Sequence, residues 1–322
     1  MINDPLLKDF DERFFKEKIV WDDIMIDHKL GEGGQAPVFE CEYKDSKYAV
    51  KFYDIDHYCD RNDCGLEDFL ESLKNELEIG RMVKKSSQMM KTYGYTYNMV
   101  NGHLKFMVLL ELLVCDGDLS KYIADKQWWK ESRMYDCVLK PESDTRYVYY
   151  NKDEDIHWCY TMPTQHKVQI VSSLIKSVKE LHSKGILHCD LKTDNIVLHY
   201  GKKRQIIKLI DFDNSCIVHD DFDYESSKAT MGYCSPEQHN YQVSEKSDVY
   251  SLAVVIVEVW NGEIWYDGDD YNECLNEVYN GIKKIKTEYP KFGRLLEKCL
   301  SENEEKRPYA DKLLDDFLKL KF

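Results

Sequence analysis

Apolar residues first recur at helical spacing in residues 5–18, PLLKDFDERFFKEK, where Leu7, Phe10 and Phe14 can share one face of a helix. From 24 to 52 the pattern shortens to alternation, in IMIDHKLGEGGQAPVFECEYKDSKYAVKF. It predicts antiparallel strands with a hairpin turn at 44–46. Helical spacing returns over 66–85, where Leu66, Phe69, Leu73, Glu76, Gly80 and Val83 fall on one stripe. A carboxylate is thus placed among apolar neighbours and needs an internal partner. Strand patterns follow at 91–97 and 103–112, and helices dominate beyond Leu113.

The next helix runs over 164–184, with Thr164 as its N-cap, an apolar face at Val171, Leu174, Ile175, Val178 and Leu181, and Gly185 as its stop. Another begins at Ser247 in SDVYSLAVVIVEVWNG and is apolar nearly all round, the pattern of a helix at the centre of a lobe. Residues 127–160 are aromatic and charged without clear periodicity and read as an insertion. There is no internal repeat and no low-complexity tract. The whole predicts an α+β chain, a small β-rich lobe followed by a larger helical one.

At 322 residues, 43% hydrophobic and 32% charged, the chain can bury one large core or two smaller ones. A formal net charge of -15 argues against nucleic acid or an anionic membrane and favours basic partners. Eleven cysteines occur singly with no CxxC pair, so they read as reduced thiols rather than zinc ligands. MINDPLLKDF lacks the apolar core of a signal peptide, and LAVVIVEVW is too short to span a bilayer. The expected location is a reducing compartment, most simply the cytoplasm, with the nucleus open. Oligomeric state is unassigned.

The densest chemistry lies in ILHCDLKTDNIVL, residues 186–198, which brackets His188, Asp190, Lys192 and Asn195 between two apolar clamps. With LGEGGQAPV and YAVK before it and LIDFD after it, the chain closely resembles the eukaryotic-type protein kinases, over about residues 28–318. The resemblance implies the two-lobed protein kinase fold: an extension at 1–23, an N-lobe at 24–114, and a C-lobe at 115–322 carrying the insertion. Phosphoryl transfer needs a carboxylate near the attacking hydroxyl, a cation near the γ-phosphate and an oxygen ligand for Mg²⁺, all on a rigid support. By resemblance Asp190, Lys192 and Asn195 take those catalytic roles, and Asn195 and Asp211 hold the metal. His188 is implied to be structural.

The glycine-rich turn, with Leu30, Gly31, Glu32, Gly33, Gly34 and Val38, is implied to close over ATP, with Ala49 beneath it. Lys51 matches the lysine for the α- and β-phosphates, Glu76 its anionic neighbour, and Leu110 and Glu111 the entry to the adenine hinge. Thr230 can hydrogen-bond Asp190 and Lys192. Glu237 and Arg307 match a structural pair, and Asp248 an aspartate beneath the catalytic loop. A lysine two residues after the aspartate is the serine/threonine-kinase form.

Five positions depart from the family pattern. Ala36 stands for the third glycine, and Pro37 beside it lacks a backbone donor. Gly80 stands for a bulky residue one turn past Glu76, and Cys189 for the arginine that pairs with a phosphorylated activation loop. Asp213 stands for glycine, where a positive φ would be costly, or it adds a second carboxylate at the metal. The implied function is an ATP- and Mg²⁺-dependent serine/threonine protein kinase acting on protein hydroxyls, basic or neutral in context if Asp116, Asp118, Asp220, Asp221 and Asp223 line the peptide groove. The competing reading is a pseudokinase, a kinase-shaped scaffold that binds partners without efficient phosphotransfer. A small-molecule kinase is disfavoured by SPE at 235–237 and by Arg307.

Overall fold

The computed structural model describes residues 4–32, 35–115, 117–124, 162–201, 205–218, 230–262 and 271–322. The 127–160 insertion, Asp116, Asp220, Asp221 and Asp223 lie outside the described residues.

The alternating segment forms β1 (Ile24–Glu32), β2 (Pro37–Tyr43) and β3 (Ser46–Asp54), joined by β4 (Thr92–Val100) and β5 (His103–Leu110). They make one antiparallel sheet in the order β1-β2-β3-β5-β4. Lys44 and Asp45 both take positive φ, 50° and 57°, the twist a two-residue hairpin needs, and this sets Tyr43 opposite Ser46. Asn101 and Gly102 do the same between β4 and β5.

Helix α1 (Pro5–Arg13) starts where the Asp4 carboxylate accepts the Leu6 N–H and buries Leu7 and Phe10. It is shorter than the 5–18 pattern predicts, because residues 17–19 leave it to pair with β4. The Ile19 N–H donates to Tyr95 O, and the Tyr95 N–H to Glu17 O, each at 2.9 Å. Gly94 permits this approach, since a Cβ there would lie 2.3 Å from Glu17 O. The segment covers what would be an exposed sheet edge.

Helix α2 (Ile55–Asn62), which the pattern did not announce, buries only Ile55. Helix α3 (Leu66–Val83) has the expected buried stripe, Glu76 included. Its Ile79 and Val83 reach past the sheet into the core of the second lobe.

That lobe is built from α4 (Leu119–Ala124), α5 (Thr164–His182), α6 (Glu245–Asn261), α7 (Tyr271–Glu288), α8 (Pro290–Cys299) and α9 (Ala310–Leu318). Two short antiparallel pairs join them, β6 (Ile186–Leu187) with β9 (Cys216–Ile217), and β7 (Ile196–Tyr200) with β8 (Gln205–Leu209). Thr164 is the first residue of α5, and Pro163, not Thr164, takes the cap position. Helix α6 starts slightly earlier than Ser247, at a Ser244 cap whose hydroxyl accepts the Lys246 N–H, and is buried from Ser247 through Trp260. The architecture is the α+β, two-lobed one the resemblance implies.

Candidate active site

The loop after β6 hangs from one carboxylate. Asp248, near the start of α6, accepts the backbone N–H of His188 at 2.8 Å and of Cys189 at 2.9 Å, and pairs with His182 Nε2 at 2.9 Å. Burial alone would raise the Asp248 carboxyl, but the hydrogen bond and charge of His182 outweigh it and hold it below its ordinary value. These bonds fix a sharp turn in which Cys189 takes a φ of 64°, unusual for a residue with a side chain.

Past the turn, Asp190 Oδ1 accepts the Thr230 hydroxyl at 2.6 Å, and Oδ2 lies 3.0 Å from Lys192 Nζ. Lys192 Nζ also donates to Thr230 Oγ1 at 2.8 Å. Asn195 Nδ2 donates to Asp190 O at 2.9 Å and to its Oδ2 at 3.1 Å. Three side chains from the loop and the segment leading to SPE thus converge on one acid. Asp190 itself is only 7% exposed.

Facing this cluster, Lys51 ends its buried stem with Nζ 2.8 Å from Asp211 Oδ1 and 2.7 Å from Asp213 Oδ1. This corrects the expected pairing with Glu76. Glu76 is buried and acts electrostatically on Lys51, yet the carboxylates in ion-pair contact with the ammonium are Asp211 and Asp213. The strain expected at Asp213 is absent as well: Asp211 carries the positive φ, 64°, while Asp213 is free of one.

Burial would lower the Lys51 ammonium, but Asp211 and Asp213 hold it well above its usual value. Burial likewise opposes ionisation of Asp211, and Lys51 overrides it and lowers that carboxyl. Asp213 is pushed well above the carboxylate range by burial and by its neighbour Asp211, against the pull of Lys51.

The other expected nucleotide positions divide. Val38 pairs across the sheet with Lys51, and buried Ala49 pairs with buried Leu110, so these share one face of the sheet with Lys51. Leu30 is exposed, a Cβ on Gly31 would meet nothing within 4 Å, and Glu32 forms an ion pair with Lys29. Gly33 and Gly34 lie outside the described residues.

Glu111 spends its N–H on Lys91 O and its carboxylate on Lys208 Nζ, at 2.8 and 2.6 Å, so any contact with adenine is left to its carbonyl. Lys208, 3% exposed, went unread in the sequence. Its signal is a lone cation inside the apolar run IIKLI of β8, which burial forces to find an anion. Further out, buried Arg307 grips Glu237 at 2.5 and 2.8 Å.

A family model of the protein kinase domain matches residues 24–318. The chain belongs to the protein kinase family. Among the family's members it is 27% identical over 218 residues to the probable serine/threonine-protein kinase fnkB of Dictyostelium discoideum, covering 59% of this chain and 41% of that protein. Over 310 residues it is 25% identical to the serine/threonine-protein kinase MPS1 of Encephalitozoon cuniculi, covering 91% of this chain and 42% of that one. Nek9 of Mus musculus, also a serine/threonine-protein kinase, is 26% identical over 227 residues, 66% of this chain and 21% of its own. The protein kinase spans about two fifths or less of the length of these relatives.

Proposed function

We propose that this protein kinase is active and transfers the γ-phosphate of ATP to a serine or threonine hydroxyl of a protein, with Mg²⁺. The observation that carries the reading is the convergence of Lys192, Thr230 and Asn195 on Asp190. Asp190 orients the substrate hydroxyl and accepts its proton, which requires a fixed carboxylate. Lys192 stands beside that acid as the cation for γ-phosphate charge, and Lys51 takes the α- and β-phosphates.

The residues fit a divalent cation. Asp211, held low by Lys51 and with a quarter of its side chain exposed, offers an ionised oxygen to a hard cation. Asp211 and Asn195 would hold the metal, Asn195 through Oδ1 because its Nδ2 is spent on Asp190. Bound magnesium would neutralise phosphate charge and orient the triphosphate.

The net charge of -15 supports a basic phosphoacceptor context. A peptide library in which Arg-flanked and Asp-flanked sites react equally removes that part. A cytoplasmic location accords with the described cysteines, all free thiols. No described helix is long and apolar enough to cross a membrane.

One observation favours the pseudokinase reading, namely that Lys51 is held by Asp211 and Asp213 and not by Glu76. Radiolabelled ATP with a generic basic protein decides between the two. Asp190→Ala is expected to lose label about 10²–10⁴-fold relative to wild type. Equal label in both leaves only the scaffold.

A further inference from the structure

Lys51 presents a buried ammonium whose N–H groups must be accepted and held in place wherever the triphosphate is. Of the three carboxylates that act on it, Glu76 is out of ion-pair contact, while Asp211 and Asp213 touch it at 2.8 and 2.7 Å. The two differ in outlook. The Asp211 side chain is 25% exposed and the Asp213 side chain 10%, so Asp211 is the more open to solvent and Asp213 the more enclosed.

We propose that Asp213 is the positioning residue of Lys51, doing from the loop after β8 what the resemblance assigns to Glu76 on α3. The inference rests on reading Lys51 as a phosphate-binding lysine. Asp211 is the more open carboxylate available to a cation, and a lysine that shared it would lose its partner whenever a metal bound. Asp213 removes that conflict, because its carboxylate stays on Lys51 while Asp211 turns to the cation.

Asp213 also sits on an anchored support. The Ser215 N–H donates to Phe212 O at 3.1 Å, closing the turn that carries Asp213. The Ser215 hydroxyl donates to His188 O at 3.1 Å, and Asn75 Nδ2, from α3, donates to Ser215 O. The turn is therefore tied both to the catalytic loop and to the helix that carries Glu76. A side chain fixed this way holds its partner as firmly as a helix would.

The test compares Glu76→Gln, Asp213→Asn, Asp213→Gly and Glu76→Gln with Asp213→Gly in the full chain. The readouts are the Kd of a fluorescent ATP analogue, KM for ATP against kcat, and the melting temperature. Asp213→Asn is expected to raise Kd and KM about tenfold more than Glu76→Gln does, with a smaller change in kcat. Asp213→Gly restores the family's residue and throws Lys51 onto Glu76, so Glu76→Gln should cost more in that background than in wild type. A Glu76→Gln effect equal to or larger than that of Asp213→Asn, with additive effects in the double variant, overturns the assignment.

If wild type binds no nucleotide analogue, the kinase reading fails instead, and melting alone then reads the anchor. Asp213→Asn should lower the melting temperature more than Glu76→Gln, and the reverse order overturns it.

Discussion

Gly80 and Thr92 stand so close that a Cβ on the glycine would lie 2.9 Å from the Thr92 Cβ. The small residue one turn past Glu76 is thus no gap: Thr92 of β4 occupies the space a bulky side chain would need. Gly80→Leu must push the helix off the sheet and should cost about 1–3 kcal/mol. Urea unfolding of the variant beside wild type measures this, and equal stability would show that the helix has room to spare.

How much of this was legible in the sequence follows from how far apart the partners are. The β-rich lobe, the buried stripe of α3 and the apolar α6 were readable because each depends on periodicity within one segment. Asp190, Lys192 and Asn195 could be proposed because they lie within six residues of sequence, Asp190 to Asn195, in the motif that carries the family resemblance. The Lys51–Asp213 contact was not, since it joins positions 162 residues apart and depends on the backbone of a turn that takes its positive φ at Asp211 instead of Asp213. Nor was the short reach of α1, which is set by the docking of residues 17–19 on β4 rather than by helical pattern.

Asp248 carries the catalytic loop through two backbone N–H groups, and its removal leaves both buried without an acceptor. Asp248→Ala should cost about 3–5 kcal/mol, and Asp248→Asn less because one acceptor oxygen survives. Hydrogen exchange at the amides of His188 and Cys189 reads the effect directly. Unchanged protection there in Asp248→Ala would mean the loop is held by something else.

Cys189 is buried with Leu187 and Cys216 in an apolar cluster, with Val243 packed against it. A thiol in that place offers no cation to a phosphorylated activation loop. If the proposed transfer holds, its rate should therefore change less than about twofold when the protein is treated with phosphatase. Cys189→Arg should not install such control, because it buries an unpaired guanidinium and lowers the melting temperature. A large loss of activity on dephosphorylation would assign the control to another cation.

Arg307 is wholly buried, and Glu237 is its anion at 2.5 Å. Burial pushes the Glu237 carboxyl up, but the hydrogen bond from Arg307 prevails and sets it below its ordinary 4.5. A carboxyl whose folded value lies below its unfolded one binds more protons unfolded, so its contribution is complete above pH 4.5 and drains away as pH falls through the folded value. Glu237→Ala should cost about 3–5 kcal/mol near neutral pH, since it strands the guanidinium. Glu237→Gln cannot titrate, so the stability gap between it and wild type should narrow as pH drops from about 5 to about 3. Denaturant unfolding of the pair across that range measures the gap. A gap that stays constant would place the acid-sensitive group elsewhere in the protein.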